Sequence, residues 1–124
     1  MNKEFVPIEE SLALKELGFD EPCFAFYVPL LDGTFELEIK ICQTHGKKII
    51  LAPLWQQAFR WFREKGFDFY IQYYVHTSVK YYEVHLREEG SQYVFGKSLA
   101  HEEAELACLR KLIEIVKEKV KLEN

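Results

Sequence analysis

Residues 102–120 carry the pattern that most limits the fold. Leu106, Leu109, Ile113, Val116 and Val120 form one helical row, and Ala104, Cys108, Leu112 and Ile115 form a second row beside it. Side chains three and four residues apart share a helix face, so the two rows merge into an unusually wide apolar arc. Glu103, Arg110, Glu114 and Lys117 fill the remaining side, with acids at the start and lysines at the end to complement the backbone dipole. One contact cannot bury so wide an arc. The helix is expected to pack on a sheet with one flank and on another helix, or a partner subunit, with the other.

The sheet is announced upstream. Residues 69–76 and 80–87 alternate with period two, and a turn around 77–79 folds them into a hairpin. With Thr77 and Lys80 flanking the turn, Ile71 faces Leu86, Tyr73 faces Val84 and Val75 faces Tyr82. The odd-numbered side chains of 69–75 then point inward. The outer face carries Tyr70, Gln72, Tyr74 and His76 beside Tyr81, Glu83, His85 and Arg87. Glu89-Gly90-Ser91 offers a second turn, after which 92–95 adds a short strand.

Nearer the N-terminus, Pro7 followed by Ile8, Glu9 and Glu10 opens a helix over 7–17, which Gly18 ends. An apolar run at 23–28, the turn signal Asp32-Gly33, and alternation at Phe35, Leu37, Ile39 and Ile41 predict another hairpin. His45-Gly46 is a further turn before a short strand at 48–51. Pro53 takes the first position of a helix over 53–65, which Gly66 stops. Leu54, Trp55, Ala58, Phe59 and Phe62 form its apolar stripe, with Arg60, Arg63 and Glu64 outward; at helical spacing Trp55, Phe59, Trp61 and Phe62 read as core rather than as a cofactor pocket, with an interface the alternative for Trp61.

A chain of 124 residues with ten Phe, seven Tyr and two Trp is too aromatic for disorder and long enough to bury a core without disulfide or metal. The expected fold is a single α+β domain over 1–124. One antiparallel sheet is covered on one face by the helices at 53–65 and 102–120, the first helix packs at an edge, and the C-terminal part runs helix-strand-strand-strand-helix.

A net charge of −4 repels phosphate backbones and anionic membrane surfaces. No apolar run approaches the roughly 18 residues a spanning helix needs, and MNKEFVPIEE turns acidic where a signal peptide would be hydrophobic. Cys23, Cys42 and Cys108 cannot all pair within one chain and sit among apolar neighbours, which fits buried thiols in a reducing cytoplasm. Cys23, Cys42 and His45 lack paired metal-ligand spacing, so neither zinc nor a cofactor is expected.

Three blocks, LALKELGFDEPCF at 12–24, APLWQQAFRWFREK at 52–65 and EEAELACLRKLIEIVK at 102–117, resemble a family of short uncharacterised proteins from phages and mobile elements of gut bacteria. The resemblance implies an origin and carries no reaction, ligand or catalytic residue. This chain departs from the family at Ala100, where a Thr or Ser usually forms a capping box with the last helix. Ser98 is then the nearest cap. No block covers 32–51, where features particular to this chain lie. The order of elements over 53–119 is also similar in outline to the double-stranded RNA-binding domain, with Gly96, Ser98, Ala104 and Cys108 where that domain has small residues. Its RNA contacts need lysines at the start of the last helix, and here His101, Glu102 and Glu103 stand there.

The chain has no glycine-rich phosphate loop, nucleophile elbow or paired-carboxylate motif, and Cys108 lies within apolar rows where a thiol is inert. The tyrosine-rich outer face of the central hairpin is the surface to test, because tyrosine gives contact area at low entropic cost together with a hydroxyl. The leading expectation is a non-enzymatic protein of mobile-element origin that binds a protein partner or itself, as a homodimer, through that face or the exposed flank of the last helix. Two alternatives stand beside it. One is a small enzyme or ligand-binding protein built on Tyr74 beside Glu83, with His85 one step along; the other is nucleic-acid binding by tyrosine stacking. His76 opposite Tyr81 and His85 opposite Gln72 do not converge on a metal.

Overall fold

The computed structural model describes residues 2–41, 49–76, 79–88 and 91–123. A 3-10 turn (Asn2–Glu4) and α1 (Ile8–Glu16) precede β1 (Phe26–Pro29), β2 (Phe35–Glu38) and β3 (Ile50–Leu51). Then follow α2 (Trp55–Glu64), β4 (Asp68–His76), β5 (Val79–Glu88), β6 (Ser91–Ser98) and α3 (His101–Glu123). The fold is α+β, with small antiparallel sheets and three helices.

Two helices end where glycine predicts. Gly18 and Gly66 both have φ +100°, a conformation that costs glycine nothing. After α1, the Phe19 N–H donates to the Leu14 carbonyl (2.9 Å) and Gly18 N–H to the Lys15 carbonyl (3.1 Å). After α2, Phe67 N–H donates to Phe62 (3.2 Å) and Gly66 N–H to Arg63 (3.0 Å). Both are Schellman closures, and the second brings the accompanying apolar contact, Phe67 against Phe62 at 6.1 Å between ring centres.

Helix starts differ from expectation. α2 begins at Trp55, two residues after Pro53, because the N-terminal segment holds Pro53 and Leu54 extended: Val6 N–H donates to the Pro53 carbonyl at 2.9 Å and Phe5 bridges Leu54. Ser98 does not cap α3. It closes β6 opposite Tyr82, and the Ala100 carbonyl takes the first helical bond from Ala104 N–H at 3.3 Å.

The single expected sheet is two three-stranded sheets, ordered β2-β1-β3 and β4-β5-β6. Among the described residues each sheet pairs only its own strands. In the first, the Asp32 carboxylate accepts from Thr34 N–H (3.0 Å) and Oγ1 (2.6 Å) at the expected turn. β2 stops at Glu38, leaving Ile39 and Ile41 exposed. Cys42, the His45-Gly46 turn and the Glu89-Gly90 part of the later turn lie outside the described residues.

The wide arc of α3 is accounted for by contacts with β5, β6, α1 and α2. The main core joins Leu14, Phe19, Phe62, Val84, Leu86, Leu109 and Leu112, all fully or almost fully buried. Each such side chain contributes about 1.5–3 kcal/mol of transfer free energy. Trp61 belongs to this core, as its helical spacing implies: its ring meets Phe19 at 5.7 Å and Phe62 at 5.0 Å, with the Lys65 ammonium 4.3 Å above it. Among the described residues no helix is long and apolar enough to cross a membrane.

Candidate interaction surface

β4 and β5 pair antiparallel from Asp68 opposite Arg87 to His76 opposite Val79, around a connection of two residues, Thr77 and Ser78, which lie outside the described residues. The expected division into faces holds, and the expected partners do not. Every pair is displaced by two, so Ile71 meets Val84, Tyr73 meets Tyr82 and Val75 meets Lys80. A shift by two residues keeps each side chain on its face.

The inner face is buried only near the helices. Phe69, Val84 and Leu86 are in the core and Ile71 and Tyr82 are half-buried, whereas Tyr73 is 44% and Val75 61% exposed. The hairpin therefore runs past its helical cover, and its distal half is open on both faces.

On the outer face Tyr70 lies opposite His85, Gln72 opposite Glu83 and Tyr74 opposite Tyr81. Tyr70 and His85 stack with ring centres 4.7 Å apart and planes 2° apart. Tyr74 and Tyr81 stack at 5.2 Å and 17°, and Tyr73 and Tyr82 meet on the inner face at 4.9 Å. Arg87 is exposed at the proximal end, and Gln72 is exposed with its amide donating to the Tyr73 carbonyl at 3.3 Å. The side chain of His76 lies outside the described residues. Asp68, opposite Arg87, and Val94, opposite His85 on β6 and exposed, belong to this face as well; the first lies one residue before the expected strand at 69–76, and the second lies within the expected strand at 92–95, for which the sequence offered no register.

The acid/base grouping of Tyr74, Glu83 and His85 is only partly assembled. His85 Nε2 lies 3.6 Å from the nearer Glu83 carboxylate oxygen, too long for a hydrogen bond. Both ring nitrogens of His85 are buried and find no hydrogen-bond partner among the described residues. The pocket beside it, lined by Asp68, Tyr70, Leu86 and Arg87, holds about 10 Å³, room for about one water molecule. Tyr74 is diagonal to Glu83, not opposite it. Loss of hydration first, then the Glu83 charge and the neighbouring Tyr70 and Tyr81, push its phenol above the ordinary value, so it stays a neutral donor. Among the described residues no group of three or more His, Cys, Asp and Glu side chains is placed to hold a metal.

An open groove of about 1030 Å³ lies elsewhere, between the N-terminal segment and the start of α3. Phe5, Ile8, Tyr27, Trp55 and Leu106 line it, Glu102 and Glu103 border it, and Trp55 Nε1 donates to the Lys3 carbonyl at 2.8 Å. Sequence reading missed it because its residues come from four separated segments and show no local pattern. Cys23 and Cys108 are buried, and burial pushes the Cys108 thiol up to about 12. The chain matches no protein-family model, no curated protein and no solved structure.

Proposed function

We propose that this protein is a non-catalytic interaction protein of mobile-element origin that docks a protein partner or a second copy through the distal half of the β4–β5 hairpin. The observation that carries the reading is the exposure of large side chains along one two-stranded ribbon, with Tyr73 at 44% and Val75 at 61% on the inner face of its distal half and Tyr70 at 49% on the outer face nearer the helices. Cross-strand ring pairs, two stacked and one tilted, hold the rings in place before any partner arrives, so little side-chain entropy is lost on binding. The mobile-element origin rests on the three sequence blocks alone.

The non-catalytic reading draws on chemistry at the site. A histidine whose ring nitrogens are enclosed does not reach a substrate proton, a phenol held protonated is a poor base, and a thiol raised to about 12 is no nucleophile at neutral pH. The test is the double variant Tyr74→Ser/Tyr81→Ser. Sedimentation and pull-down should show association weakened with the circular dichroism of the fold unchanged. Association unaltered by the double variant removes this surface from consideration.

A further inference from the structure

We propose that the open edge of β4 pairs with β4 of a second copy of this chain, antiparallel about a twofold axis at Gln72, joining two three-stranded sheets into one of six strands. The inference rests on the hairpin being the docking surface and specifies its partner and geometry.

An unpaired strand edge is a template for another strand, and folded proteins protect theirs with charges, bulges or brevity. The other edges here are protected in these ways. β2 is four residues long and carries Glu36 and Glu38; β3 is two residues long. The register of β6 with β5 slips between Glu83 and Val84, an irregularity that bends β6. β4 has none of these. It is nine residues, about 30 Å at some 3.4 Å per residue, with no proline and no charged side chain between Asp68 and His76. Among the described residues it pairs with β5 alone.

The strand is also self-complementary. Centring the pair on Gln72 engages the full length of β4 and places Tyr70 opposite Tyr74, Ile71 opposite Tyr73 and Phe69 opposite Val75 of the second copy. These are aromatic and β-branched combinations that stabilise antiparallel pairs. The two ionisable positions fall at the ends, where the Asp68 carboxylate opposes His76 of the second copy, so no like charges meet. Because Tyr70 is exposed on one face and Tyr73 and Val75 on the other, a strand added at this edge sets its own side chains beside exposed ones on both faces.

A charge swap at the axis tests the geometry. Gln72 is exposed, so Gln72→Lys and Gln72→Glu leave the core intact. Each puts two like charges opposite one another in its own homodimer, and mixing the two variants puts Lys opposite Glu. Sedimentation velocity over about a hundredfold range of concentration should show the natural chain dimerising, each variant alone dimerising more weakly, and the equimolar mixture dimerising about tenfold more tightly than either variant. Equal dimerisation of all four samples overturns the edge pairing. A natural chain that stays monomeric over the whole range overturns the second copy as partner. In that case, loss of pull-down in Tyr74→Ser/Tyr81→Ser leaves the hairpin reading standing, and its retention removes that too.

Discussion

Tyr70 and His85 face each other across the β4–β5 ladder with their rings parallel to within 2° and 4.7 Å apart. The stack explains how a histidine on the outer face of a sheet comes to be mostly buried: tyrosine covers one side of its ring. It also leaves the ring with two enclosed nitrogens and no hydrogen-bond partner among the described residues. A buried polar atom without a partner costs free energy that an apolar atom of the same shape does not.

Replacing His85 with Phe keeps the stack and removes both nitrogens, so His85→Phe should stabilise the fold by about 1 kcal/mol in urea denaturation. Tyr70→Ala, which removes the cover, should destabilise by about 1 kcal/mol. A loss of stability in His85→Phe would contradict the unsatisfied imidazole as the source of the cost.

Ala100 is the cap residue of α3 and has no side-chain acceptor, while Glu103 stands three residues on. Ala100→Ser completes a capping box, with the hydroxyl accepting from the N–H of residue 103 and the Glu103 carboxylate from that of residue 100. A gain of about 1 kcal/mol, or a few degrees in Tm, is expected in thermal unfolding. Ala100→Gly should give none of it.

The Glu10 carboxylate is 8% exposed and accepts from Arg110 Nε at 3.2 Å, tying α1 to α3. Arg110 is 58% exposed, which screens the pair and limits its worth. Arg110→Ala leaves the carboxylate buried and unpaired and should cost about 1–2 kcal/mol. Adding Glu10→Gln should recover part of that loss. The double-mutant cycle separates this coupling from lost packing.

Burial, opposed by the nearby Arg63 and reinforced by Glu105, holds the Cys108 thiol at about 12 against an ordinary value of 9.0. Its folded value is raised, so the contribution to stability is complete below pH 9 and is lost as pH climbs from about 9 to about 12, where the unfolded chain ionises first. The interval is worth on the order of 4 kcal/mol, and Cys108→Ala should flatten that part of the alkaline stability curve. Peptide-resolved alkylation at pH 8 should label Cys108 only after unfolding; fast labelling of the native protein would contradict the burial.

What the sequence disclosed follows from which signals are local. Gly18 and Gly66 end their helices through backbone geometry that needs no distant partner, and both ends were readable. Alternation placed Phe69, Val84 and Leu86 inside and Tyr70 outside, because a face survives a register shift of two. The partners did not survive it: a two-residue connection at 77–78 in place of 78–79 moved the partner of His85 from Gln72 to Tyr70. The start of α2 depends on Phe5, some fifty residues away, and the division into two sheets on which edges meet, and neither leaves a periodic trace. The exposure of Tyr73 and Val75 on a nominally inner face depends on how far the helices reach along the hairpin, which no pattern within β4 encodes.

Hydrogen–deuterium exchange, read residue by residue on the dilute chain and on its saturated assembly, tests the central claim most directly. Backbone amides along β4, Tyr70 to Val75, should gain protection on assembly while those lining the groove at Trp55 and Leu106 do not change. Protection gained at the groove or on the outer side of α3, with β4 exchanging as fast as in the dilute chain, would contradict it.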